Sequence, residues 1–143
     1  MKISDNITLA EAIKSQTAVR KGIDNAPNDE QVRAMKAVAK NCFEPLREWH
    51  GKPIGISSFF RSKPLNKAVN GSPKSQHMLG QAIDIDADIF KNGLTNAQIY
   101  NWLKKNVDFD QLIWEYGDDK NPAWVHVSYV GPGKNRKQEL RIS

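Results

Sequence analysis

A single cysteine among 143 residues excludes an internal disulfide and any zinc site built from cysteines. No apolar run approaches the ~20 residues that a membrane-spanning helix requires, so no membrane insertion is expected. The opening Met1-Lys2-Ile3-Ser4-Asp5-Asn6 lacks the apolar stretch of a secretory signal. That predicts a chain not exported by the standard route on its own. No segment recurs with the period of roughly 20–50 residues that marks a solenoid. Histidine is scarce too, being confined to His50, His77 and His126.

What is present is ordinary for a globular chain. Hydrophobic residues make up 39% and charged residues 26%, and the length suits one domain over residues 1–143 that buries its own core. The formal net charge is +5, which raises the local concentration of polyanions such as nucleic acid or an anionic cell wall. The basic residues are spread along the chain, with one cluster at residues 134–137 and Arg141. That cluster reads as a solvated charge run. No nucleic-acid-binding module is recognisable, so no nucleic-acid partner is expected. No coiled-coil seam is visible either, and a monomer is the expectation.

Three helix starts follow from capping chemistry. Thr8-Leu9-Ala10-Glu11, Asn28-Asp29-Glu30-Gln31 and Thr95-Asn96-Ala97-Gln98 each set a short polar residue three positions before Glu or Gln. After the second start, Val32, Met35, Ala39, Cys42, Leu46 and Trp49 recur at steps of three and four, predicting one long helix closed by Gly51. Pro45 lies inside it and predicts a kink. Ile99, Trp102 and Leu103 mark a shorter helix. Cys42 reads as a small buried hydrophobe, His50 as a cation at a helix end, and Trp49, Trp102 and Trp114 as core residues.

Alternation or β-branched enrichment predicts strands at residues 54–60, 82–86, 111–115 and 124–130, with a further short one near residues 139–142. Helices come first and strands mostly later. This order favours an α+β fold with an antiparallel sheet over a parallel doubly wound one.

Chemistry concentrates in two of these strands. In Ala82-Ile83-Asp84-Ile85-Asp86 the isoleucines face one way and Asp84 the other. A carboxylate so placed is costly unless it meets a cation or a donor. In Trp124-Val125-His126-Val127-Ser128 the valines and His126 divide in the same manner. If the strands share a sheet, Asp84 and His126 lie on one face and His77 arrives from the preceding loop. Two imidazoles and a carboxylate are three ligands for zinc, leaving a fourth position for a water whose pKa falls to about 7. At this point structural histidines and a salt-bridged Asp84 remain an equally good account.

The pattern Ser75-x-His77-x-x-Gly80-x-Ala82-x-Asp84, followed by Trp124-x-His126, closely resembles the zinc D-alanyl-D-alanine carboxypeptidase family of peptidoglycan peptidases, in particular its small phage-type branch. Thr8-Leu9-Ala10-Glu11, Gly22-Ile23-Asp24-Asn25 and Ser58-Phe59-Phe60-Arg61-Ser62 before Leu65-Asn66 extend the likeness over nearly the whole chain. The resemblance implies that His77, Asp84 and His126 hold zinc on one face of the sheet. It also implies a fold with a small antiparallel sheet flanked by helices, shared with lysostaphin-type peptidases and the hedgehog signalling domain.

Some members of that family carry a Glu base three residues before the last His, where this chain has Ala123. The phage-type branch commonly places a Glu at the end of the preceding strand, which is Glu115 here, and Asp118 and Asp119 follow as lesser candidates. Arg61 resembles the arginine that clamps the substrate, a task suited to the fixed fork of a guanidinium. Ser75 matches a position near the substrate, and Trp124, on the face of His126, is a candidate to line the cleft. Asp86 is either a partner of a ligand imidazole or exposed.

The function that follows is zinc-dependent hydrolysis of a stem or cross-link peptide in bacterial peptidoglycan. An endolysin held in the host cytoplasm before release, a virion-carried hydrolase and a D-Ala-D-Ala carboxypeptidase all suit it. The alternative is a non-hydrolytic, zinc-containing wall-binding or virion structural module of the same fold. A base within reach of the metal distinguishes them.

Overall fold

A computed structural model describes all of residues 1–143. A short hairpin, β1 (Lys2–Ser4) and β2 (Ile7–Thr8), opens the chain and leads into α1 (Leu9–Ala12) and α2 (Gln16–Lys21). All three expected capping boxes form, at Thr8, Asn28 and Thr95. They start α1, α3 (Asp29–Val38) and α6 (Asn96–Asn106). Neither α2 nor the later α5 (Lys63–Ala68) was expected. Each begins on a serine cap, Ser15 or Ser62, whose hydroxyl accepts a backbone N–H three residues on.

The long helix runs from α3 through one π turn at Ala39–Phe43 into α4 (Glu44–His50), and ends at Gly51 in the left-handed conformation. The irregularity expected at Pro45 takes the form of that wider turn. Proline has no N–H to give and its ring crowds the carbonyl four residues back, so an inserted residue relieves both faults. Met35, Ala39, Cys42 and Leu46 are fully buried along the stripe. Trp49 departs from the expectation. It is 51% exposed and stacks on Trp102 of α6 with ring centroids 5.4 Å apart, so the helix end meets α6 at the surface.

The main sheet joins β3 (Gly55–Ser58), β4 (Ala82–Asp86), β6 (Trp124–Ser128), β5 (Gln111–Glu115) and β7 (Gln138–Ile142), in that spatial order. The first four are antiparallel, as expected, but β7 runs parallel to β5 and makes the sheet mixed. The reason lies in the crossing. After β6 the chain passes the start of β5, where Lys137 N–H donates to the Phe109 carbonyl and Gln138 N–H to that of Asp110. It then has only one direction in which to run alongside β5. The first strand is also shorter than expected, stopping at Ser58 after a register shift, with Phe59 and Phe60 both buried in the loop that follows.

One face of this sheet is apolar. Ile83, Ile85, Leu112, Val125 and Val127 are completely buried and share a core with Met35, Val38 and Leu46 of the long helix and Ile99 and Leu103 of α6. The opposite face carries the polar side chains. No helix is long and apolar enough to cross a membrane.

Arg136, expected to be a solvated member of the basic cluster, is anchored instead. Its Nε and Nη2 donate to the two carboxylate oxygens of Asp110 at 2.9 and 2.7 Å, and its backbone N–H adds a third bond. Asp110 is buried while the Arg136 side chain is 56% exposed. Hydrogen bonding to Arg136 outweighs burial and holds the Asp110 carboxyl at about 2. Its folded pKa therefore lies below the unfolded value of ~3.9. The resulting stabilisation is complete above about pH 4 and fades as pH falls toward 2. Asp110→Asn is expected to cost about 1.5–3 kcal/mol at neutral pH. Thermal melts across pH should show the gap to wild type closing below pH ~4; a gap that persists at pH ~2 would contradict the ion pair as its origin.

Candidate metal centre

Antiparallel registration sets Asp84 of β4 directly opposite His126 of β6, with both side chains on the polar face. The third residue, His77, sits in a 3-10 turn, Gln76–Leu79, whose start is capped by the Ser75 hydroxyl accepting His77 N–H. Gly80 closes the turn at φ +74°, and a Cβ there would stand 2.4 Å from the Gln31 carbonyl oxygen. Only glycine lets the turn close against α3, where Gln31 Nε2 donates to the Met78 carbonyl.

His77 Nδ1 lies 2.6 Å from the Phe59 carbonyl oxygen. A carbonyl can only accept, so Nδ1 carries the proton, and Nε2 turns to Asp84 Oδ2 at 3.2 Å. On the other side, His126 Nδ1 is 3.0 Å from Asp84 Oδ1. The imidazoles meet edge to face, 5.2 Å between centroids. One ligand-type atom from each of the three residues lies within 4.8 Å of the others.

This cluster fits a divalent cation on its own chemistry. In neutral His77 the Nε2 lone pair faces a carboxylate oxygen, acceptor against acceptor, in a buried place. Only a positive charge between them, proton or metal, makes that arrangement favourable. Burial works against ionisation of Asp84, yet the two imidazoles overcome it and hold the carboxyl well below its usual range. Two nitrogens and one oxygen match zinc preferences, and three protein donors are the number found in catalytic sites.

Glu115 ends β5 opposite Trp124 and stands beside the triad, its Oε2 4.0 Å from His126 Nδ1. Trp124 Nε1 donates to the same oxygen at 2.7 Å. Burial and then the Asp84 charge raise the Glu115 pKa, opposed in part by His126 and the indole N–H. Arg61 follows β3; its backbone N–H donates to the His77 carbonyl and its Nη2 to the Ser75 hydroxyl at 3.3 Å. Burial lowers the Arg61 pKa while Asp84 and Glu115 counter it, and a guanidinium remains charged regardless. Its buried Nε–H has no partner in the protein. Arg61 also borders a groove of about 620 Å³ along the free edge of β3. The triad itself lies outside that groove.

The expected neighbours thus divide. Ser75, Arg61, Glu115 and Trp124 gather around the cluster. Asp86 does not reach an imidazole; it accepts from Asp88 N–H and Asn96 Nδ2. Asp118 is occupied by the backbone N–H groups of Lys120 and Asn121, and Asp119 by Arg141. Burial raises the Cys42 thiol to about 12, so it holds no thiolate at neutral pH. Sequence reasoning missed Tyr116, which leans on Trp124 with centroids 5.3 Å apart and adopts φ +57°. An aromatic between Glu115 and Gly117 was its one signal. The Phe59 carbonyl carried none, since any residue supplies that group.

An α+β domain with two histidines and an aspartate converging on one sheet face, flanked by a carboxylate and an arginine, has the form of a metal-dependent hydrolase. The chain belongs to the peptidase M15 family, whose model matches residues 5–128. Membership supports a zinc metallopeptidase, and the His77, Asp84, His126 cluster is compatible with that metal. No curated protein matches the chain. Purified protein is expected to carry about one zinc per chain by elemental analysis, and His126→Ala to lose it, since two remaining donors hold zinc poorly. Full occupancy in that variant would remove His126 from the ligand set.

Proposed function

We propose that the protein hydrolyses a peptide bond in the stem or cross-link peptides of bacterial peptidoglycan, as an endolysin-like or virion-carried enzyme of the phage-type branch. The observation that carries hydrolysis over mere binding is Glu115, held beside the metal cluster rather than turned away from it. The motif from Ser75 to Asp84 with Trp124 and His126, and the net charge of +5 facing an anionic wall, favour this substrate.

When bound at His77, Asp84 and His126, zinc supplies Lewis acidity at the scissile carbonyl. Glu115 then serves as base and acid. Trp124 occupies Oε2, so Oε1 is the oxygen free to take a proton from the water that adds to the carbonyl carbon and hand it to the amine released as the C–N bond breaks. The raised Glu115 pKa makes it a stronger base than an exposed carboxylate. Arg61, half-buried beside the cluster and joined to Ser75, offers its positive charge to a carbonyl or terminal carboxylate of the substrate. Trp124 and Tyr116 form an aromatic wall beside these groups.

Glu115→Gln keeps the volume and removes the charge. It is expected to retain zinc and thermal stability while lowering turnover ~10²–10⁴-fold. The assay is digestion of purified peptidoglycan, with released fragments identified by mass spectrometry to name the bond. Near-normal turnover in zinc-loaded Glu115→Gln would place the base elsewhere. Intact walls after incubation with zinc-loaded wild type would sink the substrate assignment.

A further inference from the structure

The family match ends at Ser128, yet the segment beyond it reaches back to the metal centre. Asp110 Oδ2, which takes the Arg136 guanidinium at 2.7 Å, also accepts from Gln76 Nε2 at 3.0 Å. Gln76 immediately precedes His77 in the same 3-10 turn. A continuous chain of charge-assisted hydrogen bonds thus runs from an arginine on the surface, through a buried carboxylate, to the residue adjoining a candidate ligand. Asp110 is 1% exposed and Arg136 is its only cationic partner. Without Arg136 the buried carboxylate would have to turn toward water or draw Gln76 toward itself. Further bonds hold the turn elsewhere, with Gln81 N–H donating to the Gln76 carbonyl and Arg61 N–H to that of His77. At the Gln76 side chain, Nε2 also reaches Gln81 Oε1, but at 3.5 Å against 3.0 Å to Asp110.

We propose that Arg136, acting through Asp110 and Gln76, positions His77 for metal binding, so that the segment after the family match completes the metal centre. The proposal rests on His77 being a metal ligand. Arg136 touches neither metal nor substrate and is a positioning residue. Groups bonded directly to metal ligands typically change affinity by about 10–100-fold, and Arg136, two side chains further out, belongs at the low end of that range. The sign of the change separates positioning from plain electrostatics. Removing a positive charge near a cation site would, by Coulomb attraction alone, raise zinc affinity. Loss of positioning lowers it.

The test is chelator competition for zinc with the whole 143-residue chain at 25 °C. Arg136→Gln is expected to weaken zinc binding about tenfold. Gln76→Ala, which leaves the Asp110–Arg136 pair intact, should weaken it comparably, and the double variant little more than either single one. Lys104→Ala, which breaks the surface bridge from Lys104 of α6 to Glu139 of β7, should leave affinity within about twofold. Unchanged or tighter binding in folded Arg136→Gln overturns the proposal. If that variant does not fold, Gln76→Ala decides alone, and wild-type affinity there overturns it equally. A wild type that binds no zinc would sink the metal assignment itself, and the clamp with it.

Discussion

Asp84 carries a negative charge in the middle of a sheet, with a fully buried isoleucine on either side of it in the strand. Stripping a carboxylate of water in such a place costs several kcal/mol unless partners replace the water. Both of its oxygens meet an imidazole nitrogen, one from the strand beside it and one from the turn before it. The protein is arranged around that requirement. Registration of β4 on β6 must bring His126 opposite, and a slip of one residue would send the charge into the apolar core. The turn carrying His77 must close tightly enough to reach the other oxygen, which in turn requires glycine at position 80 and a backbone carbonyl at Phe59.

The division of the sheet into two faces makes this affordable. On one side the long helix and α6 supply the burial that stabilises the fold. On the other, polar residues gather without competing for the core. Glu115 and Trp124 occupy paired positions on β5 and β6, so the carboxylate and the indole that binds it are set by the same ladder that sets the triad. Groups on rigid strands hold distances better than groups on loops. The exceptions, His77 and Arg61, are joined to each other by a backbone hydrogen bond, which ties the two loops into one unit.

Much of this was legible in the residues. The capping boxes at Thr8, Asn28 and Thr95 formed as expected because their chemistry is local, needing only residues three apart. Strand alternation correctly sorted Asp84, His126 and Glu115 to one face and Ile83, Ile85, Val125 and Val127 to the other, because side chains alternate with a period of two in any strand. Trp49 was misread because helical periodicity reports which residues share a face, and not where the partner surface ends. Pro45 signalled a disturbance in the helix, but whether it becomes a kink or a π turn depends on how the two halves pack against the sheet.

The direction of β7 and the anchoring of Arg136 had no local signature. A run containing Lys134, Arg136 and Lys137 looks alike whether it faces solvent or a buried carboxylate. That choice was made when the crossing after β6 carried Arg136 over Asp110. The sequence by itself determined the donor types, their facing along each strand and the helix starts, all properties of neighbours within a few positions. Only the tertiary structure decided which carboxylate stands beside the cluster and which is tied up by backbone N–H groups. It also decided that Arg136 is joined through Asp110 to the turn bearing His77. These are relations between segments distant in the chain, and a distance between segments exists only once they have packed.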